Sequence, residues 1–303
     1  ATSVCWGDVN RDGWLDLLVG NYDGANWLLL NQNGRKFIDR SKEYGLTESY
    51  KTESANLVDV DADGWLDIVT LNDEGPVRLL TGSEKGFNDA TASSGLNSGQ
   101  TYAKFGQSQS WGDFNGDGYP DLYITRAQDV DALYLNNGKS GVTRFDRKFS
   151  DIIDGSKYGR LASAIADLDE DTRPDLLIAR ASKFGRFSAS STDLFFSNSG
   201  QYPNPAAGVK AADETGLRRA ADSSLPVPGD FDGDGDLDIL YVNYLPDNPD
   251  DLFHGVQSPL GYSENKGLSQ RNLAVRLKRD KNRSAIGTKI LLAAGGKIWL
   301  QTV

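Results

Sequence analysis

A nine-residue segment rich in Asp and Asn recurs five times along the chain, and this repeat constrains the fold more than any other feature. The copies are residues 8–16 (DVNRDGWLD), 59–67 (DVDADGWLD), 113–121 (DFNGDGYPD), 167–175 (DLDEDTRPD) and 230–238 (DFDGDGDLD). Their starts lie 51, 54, 54 and 63 residues apart. An acid or its amide stands at positions 1, 3, 5 and 9 of every copy. Five matches at near-constant spacing do not arise by chance, so the chain is read as an array of similar structural units.

Each copy is followed by a short apolar run, as in 17–19 (LLV), 122–124 (LYI) and 239–242 (ILYV). These runs do not alternate with polar residues, so they read as strands covered on both faces. A second apolar run follows, then a turn of Asn, Gly and Ser, then a less regular fourth element such as 37–41. No segment keeps a helical period. Four short strands in about 50 residues is the pattern of a propeller blade. The expected fold is therefore all-β: a β-propeller of four-stranded antiparallel blades over 1–268, five of them marked by the acidic loop. A parallel β-roll has a much shorter repeat, of about nine residues. An EF-hand loop has twelve residues, closes on Glu and lies between helices. Neither fits.

The loop chemistry suits Ca²⁺, which takes six to eight oxygen ligands. Side chains would come from position 1 (Asp8, Asp59, Asp113, Asp167, Asp230), position 3 (Asn10, Asp61, Asn115, Asp169, Asp232) and position 5 (Asp12, Asp63, Asp117, Asp171, Asp234). Position 9 (Asp16, Asp67, Asp121, Asp175, Asp238) would add a carboxylate. Position 7 would give only its backbone carbonyl, which leaves its identity free: Trp14, Trp65, Tyr119, Arg173 and Asp236. Gly at position 6 permits a sharp turn at positive φ. The fourth copy has Thr172 there, which should strain the turn and weaken that site. No His or Cys joins the donor set, which argues against zinc or copper. The simpler alternative is a set of ordinary Asp-Gly hairpin turns. Charge favours metal: the chain has 43 acidic against 32 basic residues, a net −11, and 18 of those acids are loop side-chain donors. Five divalent cations would nearly neutralise it.

With these loops read, the chain resembles the FG-GAP or VCBS repeat family, which includes the integrin α-subunit propeller. The third copy carries the likeness best, with Phe105-Gly106 and then 111–124 (WGDFNGDGYPDLYI). The resemblance covers about 1–268. It implies seven blades, sometimes eight, with calcium on one face and partner binding often on the other. The tail is a second match: 271–277 (RNLAVRL), 282–290 (NRSAIGTKI) and 294–297 (AGGK) resemble the start of an ASPIC/UnbV segment, as in proteins similar to cartilage acidic protein. That places a second unit at 269–303, cut short at Val303. Such relatives are typically extracellular.

Catalytic signatures are missing. His254 is the one histidine and reads as structural or solvent-facing. Cys5 excludes an internal disulfide and reads as a buried thiol in an inner strand. No Walker or Rossmann motif occurs. The acidic balance opposes a nucleic-acid partner, and no apolar run approaches the roughly 18 residues of a membrane helix. The chain is thus expected to be an interaction or scaffolding module and not an enzyme, with a protein partner. The alternative is a carbohydrate-active propeller, either polysaccharide lyase-like or a lectin using aromatics such as Trp14, Trp65 and Tyr119. Loops on a rigid scaffold usually carry binding. The longest, 180–192, presents Lys183, Phe184, Arg186 and Phe187, a basic-aromatic tip of the kind enriched at interfaces. Weak calcium modules fill only where the ion is abundant, which predicts an extracellular, periplasmic or lumenal location. The chain lacks Met and any signal peptide, so a processed or partial sequence is expected.

Overall fold

The computed structural model describes residues 1–73, 75–97, 106–126, 131–138, 144–149, 160–168, 171–181, 194–196, 198, 210–211, 223–243, 260–265, 289–294 and 297–302. Among them every regular element is a strand, and every strand pairing is antiparallel.

Each acidic repeat belongs to one sheet. The first contains β1 (Ser3–Gly7), β2 (Asp16–Gly20), β3 (Trp27–Gln32) and β4 (Lys36–Asp39) in sequential order. The second has β5 (Thr52–Val58), β6 (Asp67–Asn72), β7 (Arg78–Ser83) and β8 (Gly86–Asp89). The third has β9 (Gly106–Gly112), β10 (Asp121–Arg126), β11 (Ala132–Asn136) and β12 (Phe145–Phe149). The fourth has β13 (Arg160–Ala166), β14 (Asp175–Ala181), β15 (Leu194–Phe196) and β16 (Lys210–Ala211). The fifth, three-stranded among the described residues, has β17 (Ser223–Gly229), β18 (Asp238–Asn243) and β19 (Leu260–Ser263). A separate hairpin pairs β20 (Lys289–Ala294) with β21 (Lys297–Thr302). The first four are the four-stranded antiparallel sheets the sequence predicts.

Consecutive blades meet through their first two strands. Ser3 Oγ on β1 accepts the Ala55 N–H of β5 at 2.9 Å. Gln109 Nε2 on β9 donates to Val69 O of β6 at 3.2 Å. The Ser110 and Ser163 hydroxyls, on β9 and β13, lie 2.7 Å apart. The approach is close enough to require glycine at one point: a Cβ on Gly112 would fall 2.6 Å from Ile165 Cγ2. Cys5 is half-buried at such a junction, packed against the core cluster of the first two blades, where its Sγ accepts the Leu57 N–H at 3.4 Å.

The apolar runs fill the spaces between sheets. All six residues of β6 and of β10 are buried. One cluster joins Val60, Val69, Leu71 and Leu79 of the second blade to Leu122, Ile124, Tyr134 and Phe145 of the third. Another joins Val9, Leu18 and Leu28 of the first blade to Ala55, Ile68 and Leu80 of the second. A third links Leu168 and Leu177 to Ile239 across blades four and five. Burial on both faces explains why these strands show no alternation.

The outer face of the first blade breaks this pattern. Trp6 and Phe37 meet edge to face at 5.9 Å, with both rings nearly half exposed. Trp111 and Phe145 hold the same register positions in the third blade, meet at 6.1 Å, and pack into the cluster shared with the second.

Candidate metal centres

Each acidic repeat forms the connection from the first strand of a blade to the second, and its ninth residue is the first residue of the second strand. Asp16, Asp67, Asp121, Asp175 and Asp238 are all fully buried. One carboxylate oxygen accepts the N–H of position 2 of the same loop: Val9 to Asp16 at 3.0 Å, Val60 to Asp67 at 2.8 Å, Phe114 to Asp121 at 2.8 Å, Leu168 to Asp175 at 2.8 Å and Phe231 to Asp238 at 3.1 Å. The other accepts an N–H at the end of the third strand or just beyond it: Asn31, Gly82, Asn136, Asn198 and Asn265, at 2.7 to 2.9 Å. The position 9 carboxylate therefore closes the loop and clips it to the blade.

The rest of the loop wraps by the same device. The position 1 carboxylate accepts the N–H of position 6: Gly13 to Asp8 at 2.8 Å, Gly64 to Asp59 at 3.1 Å, Gly118 to Asp113 at 2.8 Å and Thr172 to Asp167 at 2.9 Å. The position 3 side chain accepts from position 5, as Asn10 does from Asp12 at 3.0 Å and Asp232 from Asp234 at 3.1 Å. Position 5 accepts from position 7, as Asp12 does from Trp14 and Asp117 from Tyr119, both at 2.9 Å. Position 6 takes positive φ in every copy: Gly13 88°, Gly64 89°, Gly118 90° and Gly235 99°, but also Thr172 75°. A β-branched residue in that region is strained, as the sequence predicts for the fourth copy. Arg11 and Ala62, at position 4, are left-handed as well, at 59° and 58°.

These turns bring hard oxygen donors together. Carboxylate oxygens of Asp59, Asp61 and Asp67 lie within 4.8 Å of one another, as do those of Asp230, Asp232 and Asp238. Burial pushes Asp67 up to about 7, against the N–H groups of Gly82 and Val60, with Asp61 and Asp59 adding repulsion. Burial likewise lifts Asp121 to about 8 and Asp16 to about 6. Asp61 and Asp113 are raised for the same first reason. Asp238 differs: burial raises it, but hydrogen bonds from Asn265, Tyr262 and Phe231 outweigh that and leave it low. Buried like charges held at this spacing are what a divalent cation relieves. The donor set fits Ca²⁺ and offers nothing soft.

Position 7 is occupied by packing. A Cβ on Gly34 would lie 2.5 Å from the Trp14 ring, and one on Gly138 2.9 Å from Tyr119. The Trp65 ring lies under the Arg11 guanidinium, 4.0 Å from its centroid. All three aromatics are half-buried. Arg173 reaches the carbonyl of Asn198 and the carboxylate of Asp171. Asp169, Lys183, Phe184, Arg186, Phe187 and His254 lie outside the described residues, as do the tail segments 271–288.

Residues 8–70 and 113–178 match the FG-GAP-like repeat. The FG-GAP-like segments take in the first four loops, and the fifth lies outside them. Similar sequences include integrin alpha-4 of Xenopus laevis (32% identity over 144 residues, 40% of this chain and 14% of that one). Integrin alpha-6 of Gallus gallus is 27% identical over 181 residues, covering 54% of this chain and 16% of the relative. Integrin alpha-7 of Rattus norvegicus is 32% identical over 144 residues, covering 42% and 12%. The likeness thus spans well under a fifth of these relatives. Among solved structures, an alpha-L-arabinofuranosidase (CtGH43) from Clostridium thermocellum aligns over 79% of this chain and 81% of that one. Its TM-score of 0.38 and 10% identity are too low to bear on fold or activity.

The Asn residues at or just beyond the ends of the third strands are loop partners that the sequence reading did not single out. Asn31, Asn136, Asn198 and Asn265 each put a backbone N–H on the position 9 carboxylate. A signal for them exists: Asn136, Asn198 and Asn265 each stand two residues before a Gly, and Asn31 three before Gly34.

Proposed function

We propose that this chain is a calcium-stabilised β-propeller module that recognises a protein partner outside the cytoplasm, with one Ca²⁺ in each acidic loop. The observation that carries this reading is the convergence of Asp59, Asp61 and Asp67 oxygens within 4.8 Å, on a loop inside a matched FG-GAP-like repeat. In each loop, positions 1, 3, 5 and 9 would supply side-chain oxygens and position 7 a carbonyl. The ion's role is structural: it neutralises buried carboxylates and stabilises the folded state by linkage.

The uncovered Trp6–Phe37 face supports a ring in which a further blade packs against the first. The assignment of 1–268 to the propeller and of 269–303 to the start of an ASPIC/UnbV-like segment belongs to the same proposal. So does partner binding through Lys183, Phe184, Arg186 and Phe187. An extracytoplasmic location follows from the modest affinity expected of such loops. Among the described residues no helix is long and apolar enough to cross a membrane.

The test is calorimetric titration of the decalcified chain with Ca²⁺, followed by a pull-down in millimolar calcium with and without chelator. Saturable binding near five equivalents, with partner capture lost on chelation, is the expected result. Absence of saturable binding at millimolar Ca²⁺ would overturn the metal reading. Binding without any captured protein would overturn the recognition role.

A further inference from the structure

The acidic loops are not independent. Asn136, on the third blade, donates from Nδ2 to Val60 O in the second loop at 2.7 Å. Its backbone N–H meanwhile binds Asp121, the position 9 carboxylate of its own loop, at 2.8 Å. Val60 itself donates its N–H to Asp67, position 9 of the second loop. One buried residue therefore touches the closing groups of two neighbouring loops.

The arrangement recurs at the next two junctions. Asn198 Nδ2 donates to Phe114 O of the third loop at 2.9 Å, and its N–H to Asp175. Asn265 Nδ2 donates to Leu168 O of the fourth loop at 3.1 Å, and its N–H to Asp238. A hydrogen-bonded path thus runs Asp67, Val60, Asn136, Asp121, Phe114, Asn198, Asp175, Leu168, Asn265, Asp238. Asn136 Oδ1 is buried without a hydrogen-bond partner, a cost that a plain turn residue at a surface would avoid.

The junction of the first two blades uses a different part. Gly82 holds the equivalent position, where a Cβ would fall 2.2 Å from Leu66 O. No side chain fits there. Arg11 of the first loop ties the loops instead, donating to Gly64 O at 3.1 Å and to Asp63 O at 3.2 Å. All four described junctions therefore carry a side-chain tie from one loop to the backbone of its neighbour.

We infer that Asn136, Asn198 and Asn265 are positioning residues that couple adjacent metal loops, so that ordering one loop raises the cation affinity of the loop before it. The inference rests on the calcium reading above. Each Asn fixes the position 2 carbonyl of the preceding loop, and position 2 is where that loop is clipped to its own position 9 carboxylate. Disturbing one end moves a ligand at the other.

The test is Ca²⁺ titration of the full chain followed by amide NMR at Gly64 and Gly118, which donate to Asp59 and Asp113. Asn136→Ala should weaken the transition read at Gly64 by roughly three- to tenfold, the effect of one buried hydrogen bond, although the substituted residue lies in another blade. Asn137→Ala is the control, since Asn137 is exposed and its side-chain amide reaches Asp146 of its own blade rather than a metal loop; it should leave Gly64 unmoved. Should Asn136→Ala fail to fold, Asn265→Ala read at the Thr172 amide asks the same question at the junction of the fourth and fifth blades, where Asn265 is half-buried. An unchanged midpoint at Gly64, or at Thr172 for the second variant, overturns the coupling while leaving calcium binding intact. A wild-type chain whose Gly64 and Gly118 amides ignore Ca²⁺ overturns both.

Discussion

Asp121 accepts the Phe114 N–H at 2.8 Å across the closed third loop. The carboxylate is fully buried and its other oxygen holds the Asn136 N–H. It is thus a framework group as well as a candidate ligand. Asp121→Ala would leave two buried N–H groups unsatisfied, at about 1–3 kcal/mol each, and should destabilise the metal-free chain by roughly 3–5 kcal/mol. Asp117, at position 5 of the same loop, is exposed. Asp117→Ala should cost less than about 1 kcal/mol without metal, while still lowering calcium affinity. Urea denaturation in the presence and absence of Ca²⁺ separates the two roles.

Metal-free stability should fall with rising pH. Asp16, Asp67 and Asp121 are raised to about 6, 7 and 8, above the value of about 4 expected unfolded. Between those limits the folded chain holds more protons than the unfolded one, so their contribution is full below about pH 4, falls as pH rises above it, and is gone once pH has passed the folded values of about 6, 7 and 8. Calcium requires the charged form, so its stabilisation should grow across the same window. Melting temperatures of decalcified and calcium-saturated protein between pH 5 and 8.5 should diverge; parallel curves would contradict the assignment.

Thr172 holds a φ of 75° where the other four loops have glycine. Thr172→Gly should relieve about 1 kcal/mol or more of backbone strain. The expected signature is a tighter fourth site and a higher melting temperature in calcium. The reverse change in a sister loop, Gly118→Thr, should weaken the third site. Equal affinities for Thr172→Gly and wild type would show that the turn absorbs the strain.

Arg11 stacks 4.0 Å from the Trp65 centroid while donating to two carbonyls of the second loop. Arg11→Ala should cost roughly 1 kcal/mol. Arg11→Lys should recover little, because an ammonium cannot present the planar fork that reaches both carbonyls while lying on the ring. Differential denaturation of the two variants checks this.

Much of the fold was legible because its unit repeats. Asp at positions 1 and 9 of all five copies, with Gly at position 6 of four, announced the turns, and the unbroken apolar runs after Asp67 and Asp121 announced strands buried twice. Thr172 announced its own strain. The ties between blades were hidden. Asn136 and a surface turn Asn look alike in sequence, and Gly82 reads as a turn residue rather than a place with no room. Nor does the sequence show what Trp14, Trp65 and Tyr119 pack against, which is Gly34, Arg11 and Gly138.

Local chemistry and period were written in the chain itself: oxygen donors at fixed spacing can close a turn through bonds to their own backbone, so nine residues suffice to specify each loop. Which loop touches which neighbour was settled only by packing. The Asn136–Val60 contact joins residues 76 apart in sequence, and such a bond exists only once two sheets have stacked and excluded water from between them.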